Sequence, residues 1–340
     1  MEQRRMGSSS LVCSALGFGT WEMGTTQYGH IDVEEATAAV NYALDNGITL
    51  FDTAAVYGPG HSEVLLGKAL GPRRKEAVLV TKVGLVWDEH GKVVGLDSSR
   101  QQIISAAEDC LRRLNTDWID LLLIHWPDHR TPAEEVVGAF ETLKQAGKIR
   151  EYGVSNYSVE MMEACERHGH LAANQVGYNL FDRRVEARVI PYCVERRIGF
   201  MAYGTLAFGL LTGAFTPDTT FVDWDWRSKG EAFGLPLFQR EHFLKELRVV
   251  ERLKGLAREA GRTVAQLAIA WVLGNPGVSV ALVGARKPSE IAENVKAVDW
   301  KLTDDVRREI DRIFDEEGVP TYRDAEQLLV PPSLRGTWKV

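Results

Sequence analysis

The chain has 340 residues, 45% of them hydrophobic and 26% charged, the make-up of a soluble globule with material for a large core. A formal net charge of −7, with basic residues dispersed, argues against nucleic acid or an anionic membrane surface as the main partner. The four cysteines (Cys13, Cys110, Cys165, Cys193) stand far apart and no long apolar segment follows Met1–Arg5, so neither a disulfide framework, a zinc motif, secretion nor membrane spanning is indicated, and a reducing cytoplasm is expected.

In chain order, strand-like runs alternate with helix-like runs. An initial strand around Ser14–Gly19 precedes a helix over Ala36–Asn46, with Asp32 as N-cap, Glu35 completing a capping box and Gly47 as the stop. The run Thr49–Thr53 leads to a helix at Ser62–Leu70 closed by Gly71-Pro72, and Val78–Lys82 leads to one from Ser98/Ser99 to Leu114 closed by Asn115. Further strands are read at Ile119–His125, Glu151–Val154, Ala173–Val176, Gly199–Tyr203 and Val278–Val283. The helices that follow them are placed at Thr131–Ala146, Ser158–His168, Glu186–Arg197, Glu241–Ala260 and Ser289–Ala297, with a terminal helix at Thr303–Glu317. Several strands are short and rich in Val, Ile or Leu, as strands covered on both faces should be.

Alternating βα units fit both a doubly wound sheet and a barrel. Catalytic-type residues at many different strand ends favour the barrel, where every strand delivers to one face. The expectation is an α/β protein, a closed (β/α)8 TIM barrel in a single domain over 1–340, with barrel and terminal helix over about 10–317 and a tail over 318–340. Leu85–Asp97 is an insertion and Leu206–Arg240 a long loop carrying Trp224 and Trp226, which either shape a substrate pocket or anchor the loop on the barrel. The glycine-rich start of that loop marks it as a candidate mobile clamp.

Three segments concentrate polar residues at strand ends: Leu50–Gly58 with Asp52 and Tyr57, Thr81–Gly84 with Lys82, and Ile119–Pro127 with His125. Taken singly, Asp52 reads as a turn residue, Tyr57 as a half-buried aromatic, Lys82 as a surface lysine and His125 as a core histidine. Together, on consecutive strand ends, they form a proton-donating centre. Carbonyl reduction needs such a set, because the oxygen gathers negative charge as hydride adds to carbon and must receive a proton. A phenol of ordinary pKa near ~10 donates poorly at neutral pH, so Lys82 is expected to lower the pKa of Tyr57, Asp52 to hold Lys82, and His125 to orient the carbonyl or share in proton transfer. No metal is required, and the spacings His168/His170 and His125/His129 lack carboxylate support. Gly17-Phe18-Gly19 lacks the third glycine and following helix of a Rossmann fingerprint.

These segments resemble the aldo-keto reductases, (β/α)8 barrels that use a nicotinamide cofactor, and in particular bacterial NADPH-dependent members. The resemblance runs from Leu16–Trp21 to Ala292–Asn294 and rests on Phe51-Asp52-Thr53-Ala54 leading to Tyr57-Gly58, His61-Ser62-Glu63 with Gly67, Thr81-Lys82, Ile119-Asp120-Leu121 leading to His125-Trp126-Pro127, and Lys148–Tyr157. It implies a tetrad of Asp52, Tyr57, Lys82 and His125 with Tyr57 as general acid. It also implies that Ser155, Asn156 and Gln175 meet the nicotinamide carboxamide, that Tyr203 stacks on the ring, and that Gly204, Thr205, Leu206 and Gly209 fold over the pyrophosphate. Gly19, Thr20, Trp21 and Asp52 join this cofactor set. Gly284, Arg286, Glu290, Glu293 and Asn294 resemble the adenosine-phosphate site, with Arg286 suited to a 2′-phosphate and Glu293 and Asn294 to the adenine. Glu290 departs from the Gln or Arg often found there, so NADP(H) is the expected cofactor with NAD(H) as the alternative.

Trp21, Tyr57, Trp87, His125 and Trp126, together with Trp224 and Trp226, indicate an aromatic-lined pocket for a small-molecule carbonyl substrate. Two other readings stay open: an NAD-linked sugar or polyol dehydrogenase, kept alive by Glu290, and a cofactor-binding regulatory protein like the potassium-channel β subunits, which resemble the same family. The oligomeric state is not legible in the sequence.

Overall fold

The computed structural model describes residues 1–24, 28–29, 31–323, 325 and 334. Eight strands close into a barrel: β1 Leu16–Gly19, β2 Leu50–Asp52, β3 Val78–Val83, β4 Ile119–Ile124, β5 Ile149–Ser155, β6 Ala173–Gly177, β7 Gly199–Tyr203 and β8 Val278–Gly284. Each pairs in parallel with the next in sequence, and β8 closes on β1. Parallel neighbours require crossovers, which the intervening helices supply. The fold matches the expected (β/α)8 barrel.

Side chains alternate across each strand, so every second residue points into the barrel. Leu50, Val80, Leu121, Leu123, Ala173, Met201, Val280 and Leu282 form an interior cluster apart from the main core between barrel and helices. An antiparallel hairpin, Gln3–Arg5 with Val12–Ser14, adds Met6, Leu11 and Cys13 to this cluster. At Gly17 a Cβ would lie 2.7–2.9 Å from the side chains of Leu282, Leu50 and Val280, so the interior has no room for one. Two residues further along the same inward rows stand Asp52, Lys82, His125, Gln175 and Tyr203.

Besides a single helical turn at Trp21–Gly24, the α-helices are α1 Val33–Asp45, α2 His61–Leu70, α3 Arg100–Leu114, α4 Ala133–Gln145, α5 Val159–Glu166, α6 Val189–Arg196, α7 Arg240–Glu259, α8 Val264–Leu273, α9 Pro288–Asn294 and α10 Asp304–Glu317. Asp32 does cap α1, accepting from the amides of Glu34 and Glu35, whereas a two-way capping box forms at Thr263 and Gln266. That box starts α8, a helix absent from the sequence reading. All ten of its residues are buried, so it has no polar face and no amphipathic period to detect. The insertion after β3 is a hairpin, Leu85–Trp87 with Val93–Leu96. Most of the 318–340 tail lies outside the described residues. No described helix is long and apolar enough to cross a membrane.

Glu246 on α7 is buried, and one of its carboxylate oxygens has no hydrogen-bond partner among the described residues. Burial pushes its carboxyl up to about 9. The folded chain therefore keeps a proton that the unfolded chain releases, and stability falls as pH rises from about 4.5 to about 9. Glu246→Gln removes that slope, and its advantage over the parent should reach roughly 3 kcal/mol at pH 7. Urea melts at several pH values test this; parallel pH profiles for the two proteins would show that Glu246 is ionised in the fold.

Candidate active site

β2 ends at Asp52, Lys82 is the penultimate residue of β3, and His125 directly follows β4. Tyr57 is carried by the loop after β2. A buried hydroxyl network fixes that loop: Ser62 Oγ donates to Thr20 (Oγ1 2.7 Å, backbone oxygen 2.9 Å), and Thr53 Oγ1 donates to Ser62 Oγ at 3.0 Å. The Ala55 amide bonds the Lys82 carbonyl and the Ser62 amide the Tyr57 carbonyl. Glu63 accepts from Thr81 Oγ1 and Arg113 Nε, both at 2.6 Å, locking α2 to β3. Thr20, Ser62 and Glu63 thus act as scaffold.

The four tetrad residues are brought together. Lys82 Nζ donates to Asp52 Oδ1 at 2.6 Å, to the Thr53 carbonyl at 2.8 Å and to the Tyr57 hydroxyl oxygen at 3.3 Å. The Tyr57 and His125 ring centroids are 5.8 Å apart, edge to face. Gln175 reaches across the barrel and donates from Nε2 to Asp52 Oδ2 at 2.7 Å. Asp52 and Lys82 are buried, while Tyr57 and His125 are half-buried.

Burial raises the Asp52 carboxyl and lowers the Lys82 ammonium, and their mutual attraction opposes both shifts. Tyr57 differs from the sequence expectation. Burial, with the negative charge of Asp52 next, pushes its phenol well above the ordinary value, so the net shift is upward and not the downward one expected from Lys82. The main physical reason is loss of water around the phenol, and the Asp52 carboxylate that matches Lys82 at 2.6 Å adds to it by disfavouring a second negative charge nearby. Burial and the Lys82 charge hold the His125 imidazole well below its ordinary value, hence neutral near pH 7.

The candidate cofactor residues line the other strand ends in an arc. Ser155 ends β5, and Asn156 follows in the left-handed region (φ +63°) that Asn tolerates. These side chains are tied to protein groups. Ser155 Oγ donates to the Gln175 carbonyl (2.8 Å), and Asn156 Nδ2 donates to the His125 carbonyl (3.0 Å). Asn156 Oδ1 accepts from the Tyr203 hydroxyl at 2.9 Å. The Gln175 side-chain oxygen takes no hydrogen bond among the described residues. Thr20 Oγ1 and Thr205 Oγ1 are turned onto the backbone carbonyls of Asp52 and Ala202. After β7, Gly204, Ala207, Phe208 and Gly209 all have positive φ, making a sharply folded turn that includes Leu206.

Gly19 and Gly284 are register partners at the ends of β1 and β8 and leave bare backbone there. Beside them Glu22, which sequence reasoning passed over, fills the space where a Gly284 side chain would stand, and burial raises its carboxyl. Arg286 is exposed; its amide donates to Glu290 Oε2 at 2.8 Å and its Nη1 meets the Tyr28 carbonyl at 3.5 Å. The Glu293 carbonyl accepts from Gln266, and Asn294 is buried.

The tryptophans divide. Trp21 stacks on Trp226 (5.6 Å) and Tyr57 (6.2 Å), and Trp126 packs in a cluster with Leu85, Leu96 and Leu334. Trp87 instead packs against the main core, and Trp224 is 57% exposed, so neither joins this group. The hub is Phe233, also missed: its ring lies within 6.3 Å of Trp21, Trp126, Tyr203, Phe208 and Trp226. No sequence period marks a loop aromatic, so only tertiary contact reveals it.

Residues 15–315 match the model of the aldo/keto reductase family. The aldo-keto reductase YhdN of Bacillus subtilis is 37% identical over 318 residues, covering 93% of this chain and 94% of that protein. Among solved structures, the glycerol dehydrogenase AKR11B4 of Gluconobacter oxydans superposes with a TM-score of 0.85 at 39% identity, covering 93% of this chain and 95% of that one. An aldo/keto reductase from Klebsiella pneumoniae, solved with NADP and acetate, superposes with a TM-score of 0.71 at 31% identity over 92% of this chain and 96% of its own. A barrel closed around Asp52, Tyr57, Lys82 and His125 and these whole-length likenesses agree: the chain belongs to the aldo/keto reductase family and is an NAD(P)H-dependent oxidoreductase.

Proposed function

We propose that the protein reduces an aldehyde or ketone to the alcohol with NADPH, and that Tyr57 delivers the proton. The observation that carries this reading is the saturation of Lys82. Its three N–H groups go to Asp52, the Thr53 carbonyl and the Tyr57 oxygen. Tyr57 thus accepts from Lys82 and keeps its own proton to give away.

The bound cofactor supplies the hydride. The chain's residues do the rest. Tyr57 holds a proton toward the mouth, and its raised pKa keeps that proton in place at neutral pH. The neutral His125 imidazole, edge-on to Tyr57, polarises and orients the carbonyl oxygen by hydrogen bonding. Asp52, itself held by Gln175, keeps Lys82 charged and in place. As charge builds on the carbonyl oxygen, the Tyr57 proton transfers, and Lys82 stabilises the phenolate left behind. The carboxamide end would meet Gln175, Ser155 and Asn156 beside Tyr203, the pyrophosphate the turn from Gly204 to Gly209, and the adenosine end Arg286, Glu293 and Asn294. The aromatic wall of Trp21 and Trp126 suits a bulky or cyclic carbonyl.

A polyol dehydrogenase is the second reading. The Glu290–Arg286 contact favours it by placing a carboxylate where a 2′-phosphate would bind, and a glycerol dehydrogenase is among the similar structures.

Tyr57→Phe should cut carbonyl reduction by ~10²–10⁴, as for a lost general acid, while dinucleotide binding persists. Near-normal reduction by this variant would reject the assignment. The pH profile carries a sign. With Tyr57 protonated and His125 neutral, reduction should stay level from about pH 7 to about pH 9, and alcohol oxidation, which needs the phenolate, should climb throughout. A reduction rate that falls through about pH 6.5 would instead point to a charged histidine as donor. Arg286→Ala should weaken NADPH binding about tenfold and leave NADH nearly unchanged, with Glu290→Gln tightening NADPH selectively. Equal losses of both cofactors on titration would place 2′-phosphate recognition elsewhere.

A further inference from the structure

Phe233 sits at the tip of a tight turn in the long loop after β7. Ala232 and Leu235 exchange both backbone hydrogen bonds (2.8 and 3.0 Å), and the two residues between them, Phe233 (φ +49°) and Gly234 (φ +91°), are both left-handed. Positive φ at both central positions is a requirement that glycine and asparagine meet easily and phenylalanine does not. A bulky residue in that conformation is held there by its surroundings. Here the holding groups are explicit. The Phe233 carbonyl accepts from Arg184 Nη1 at 3.2 Å, and Arg184 is gripped by both oxygens of Asp182 at 2.8 and 2.7 Å.

The strut aims the ring into the mouth. It lies nearly parallel to Trp126 (centroids 6.2 Å, 9°) and meets Tyr203 edge to face at 5.4 Å and 60°. Phe208, from the turn after β7, stacks behind it at 5.1 Å. A recess lined by Asn156, Gly177, Arg184, Tyr203 and Phe233 adjoins it. Tyr203 and Asn156 belong to the proposed carboxamide site, and Trp126 follows His125 on the substrate side. One phenyl ring therefore stands where nicotinamide and substrate would meet.

We infer that Phe233 is an internal gate: its ring competes with the nicotinamide for the space beside Tyr203, and the 232–235 turn withdraws before the cofactor seats. This rests on the cofactor reading given above. The binding-competent state is then a minor fraction of the free protein, and the apparent affinity is reduced by that fraction. Cofactor association should follow an opening step, so the observed rate levels off as cofactor concentration rises.

The test is stopped-flow quenching of intrinsic tryptophan fluorescence on mixing with NADPH, and separately NADH, for the parent, Phe233→Ala and Phe233→Asn. Asparagine tolerates the left-handed turn, so the second variant removes the ring and keeps the turn. Both variants should bind the cofactor about tenfold faster and tighter, without the plateau. Unchanged rates, or weaker binding with a raised KM for the carbonyl, would make Phe233 a fixed wall of the pocket and overturn the inference. If the parent binds neither NADPH nor NADH, the cofactor reading fails instead, so the two failures are distinct.

Discussion

The ion pair between Lys82 and Asp52, sealed at the top of the barrel, is the constraint on which the site depends. Burying two charges costs several kcal/mol each unless they are paired and hydrogen-bonded. Here they are: Lys82 makes three hydrogen bonds, and Asp52 uses one oxygen for Lys82 and the other for Gln175. The partners come from β2, β3 and β6, so one small network fixes three strand ends across the barrel. Loss of either charge would strand the other, which makes the pair difficult to alter without losing the fold locally. Tyr57 hangs from this network by its contact with Lys82.

That arrangement changes the chemical argument for the tyrosine. A free ammonium 3.3 Å from a phenol would pull its pKa down, and sequence reasoning expects that effect. The matched carboxylate cancels much of it, and burial takes over. The proposed acid is thus strong in position rather than in acidity: it waits, fully protonated, until charge on the carbonyl oxygen draws the proton. In the proposed reaction Lys82 then matters most late, when the phenolate it faces has formed.

Much of the fold was legible because the barrel strands obey a simple pattern. Runs such as Val78–Val83 are apolar on both faces, and the inward row passes from Val80 to Lys82, just as Leu50 leads to Asp52 and Ala173 to Gln175. A polar residue breaking an apolar row at a strand's carboxyl end marks the mouth, which is why Asp52, Lys82 and His125 could be placed from the chain alone, while Tyr57 stands on the loop after β2. Other features left no such trace. Helix α8 is apolar on every side, so no period betrays it. The strands of the hairpin built on Leu85–Trp87 and Val93–Leu96 are too short to alternate convincingly. The resemblance implies that Ser155, Asn156 and Gln175 meet the nicotinamide carboxamide, and it does not reveal that much of their hydrogen bonding is internal, a matter of partners distant in sequence. Phe233 depends on a backbone conformation that its own side chain disfavours.

The site therefore has two layers built by different rules. The polar layer sits on or just beyond strand ends whose spacing the barrel sets, and Asp52, Tyr57, Lys82, Ser155 and Gln175 are tied together by hydrogen bonds at 2.6–3.3 Å. The aromatic layer is assembled from segments outside the barrel: the turn carrying Trp21, the hairpin with Leu85 and Leu96, and the loop with Trp226 and Phe233. Loops tolerate change that strand ends do not. Proton delivery, as proposed, is consequently fixed by the fold, while the shape of the mouth is set by residues that can vary without disturbing it. A substrate preference must be sought in that second layer, because the first would treat any carbonyl alike.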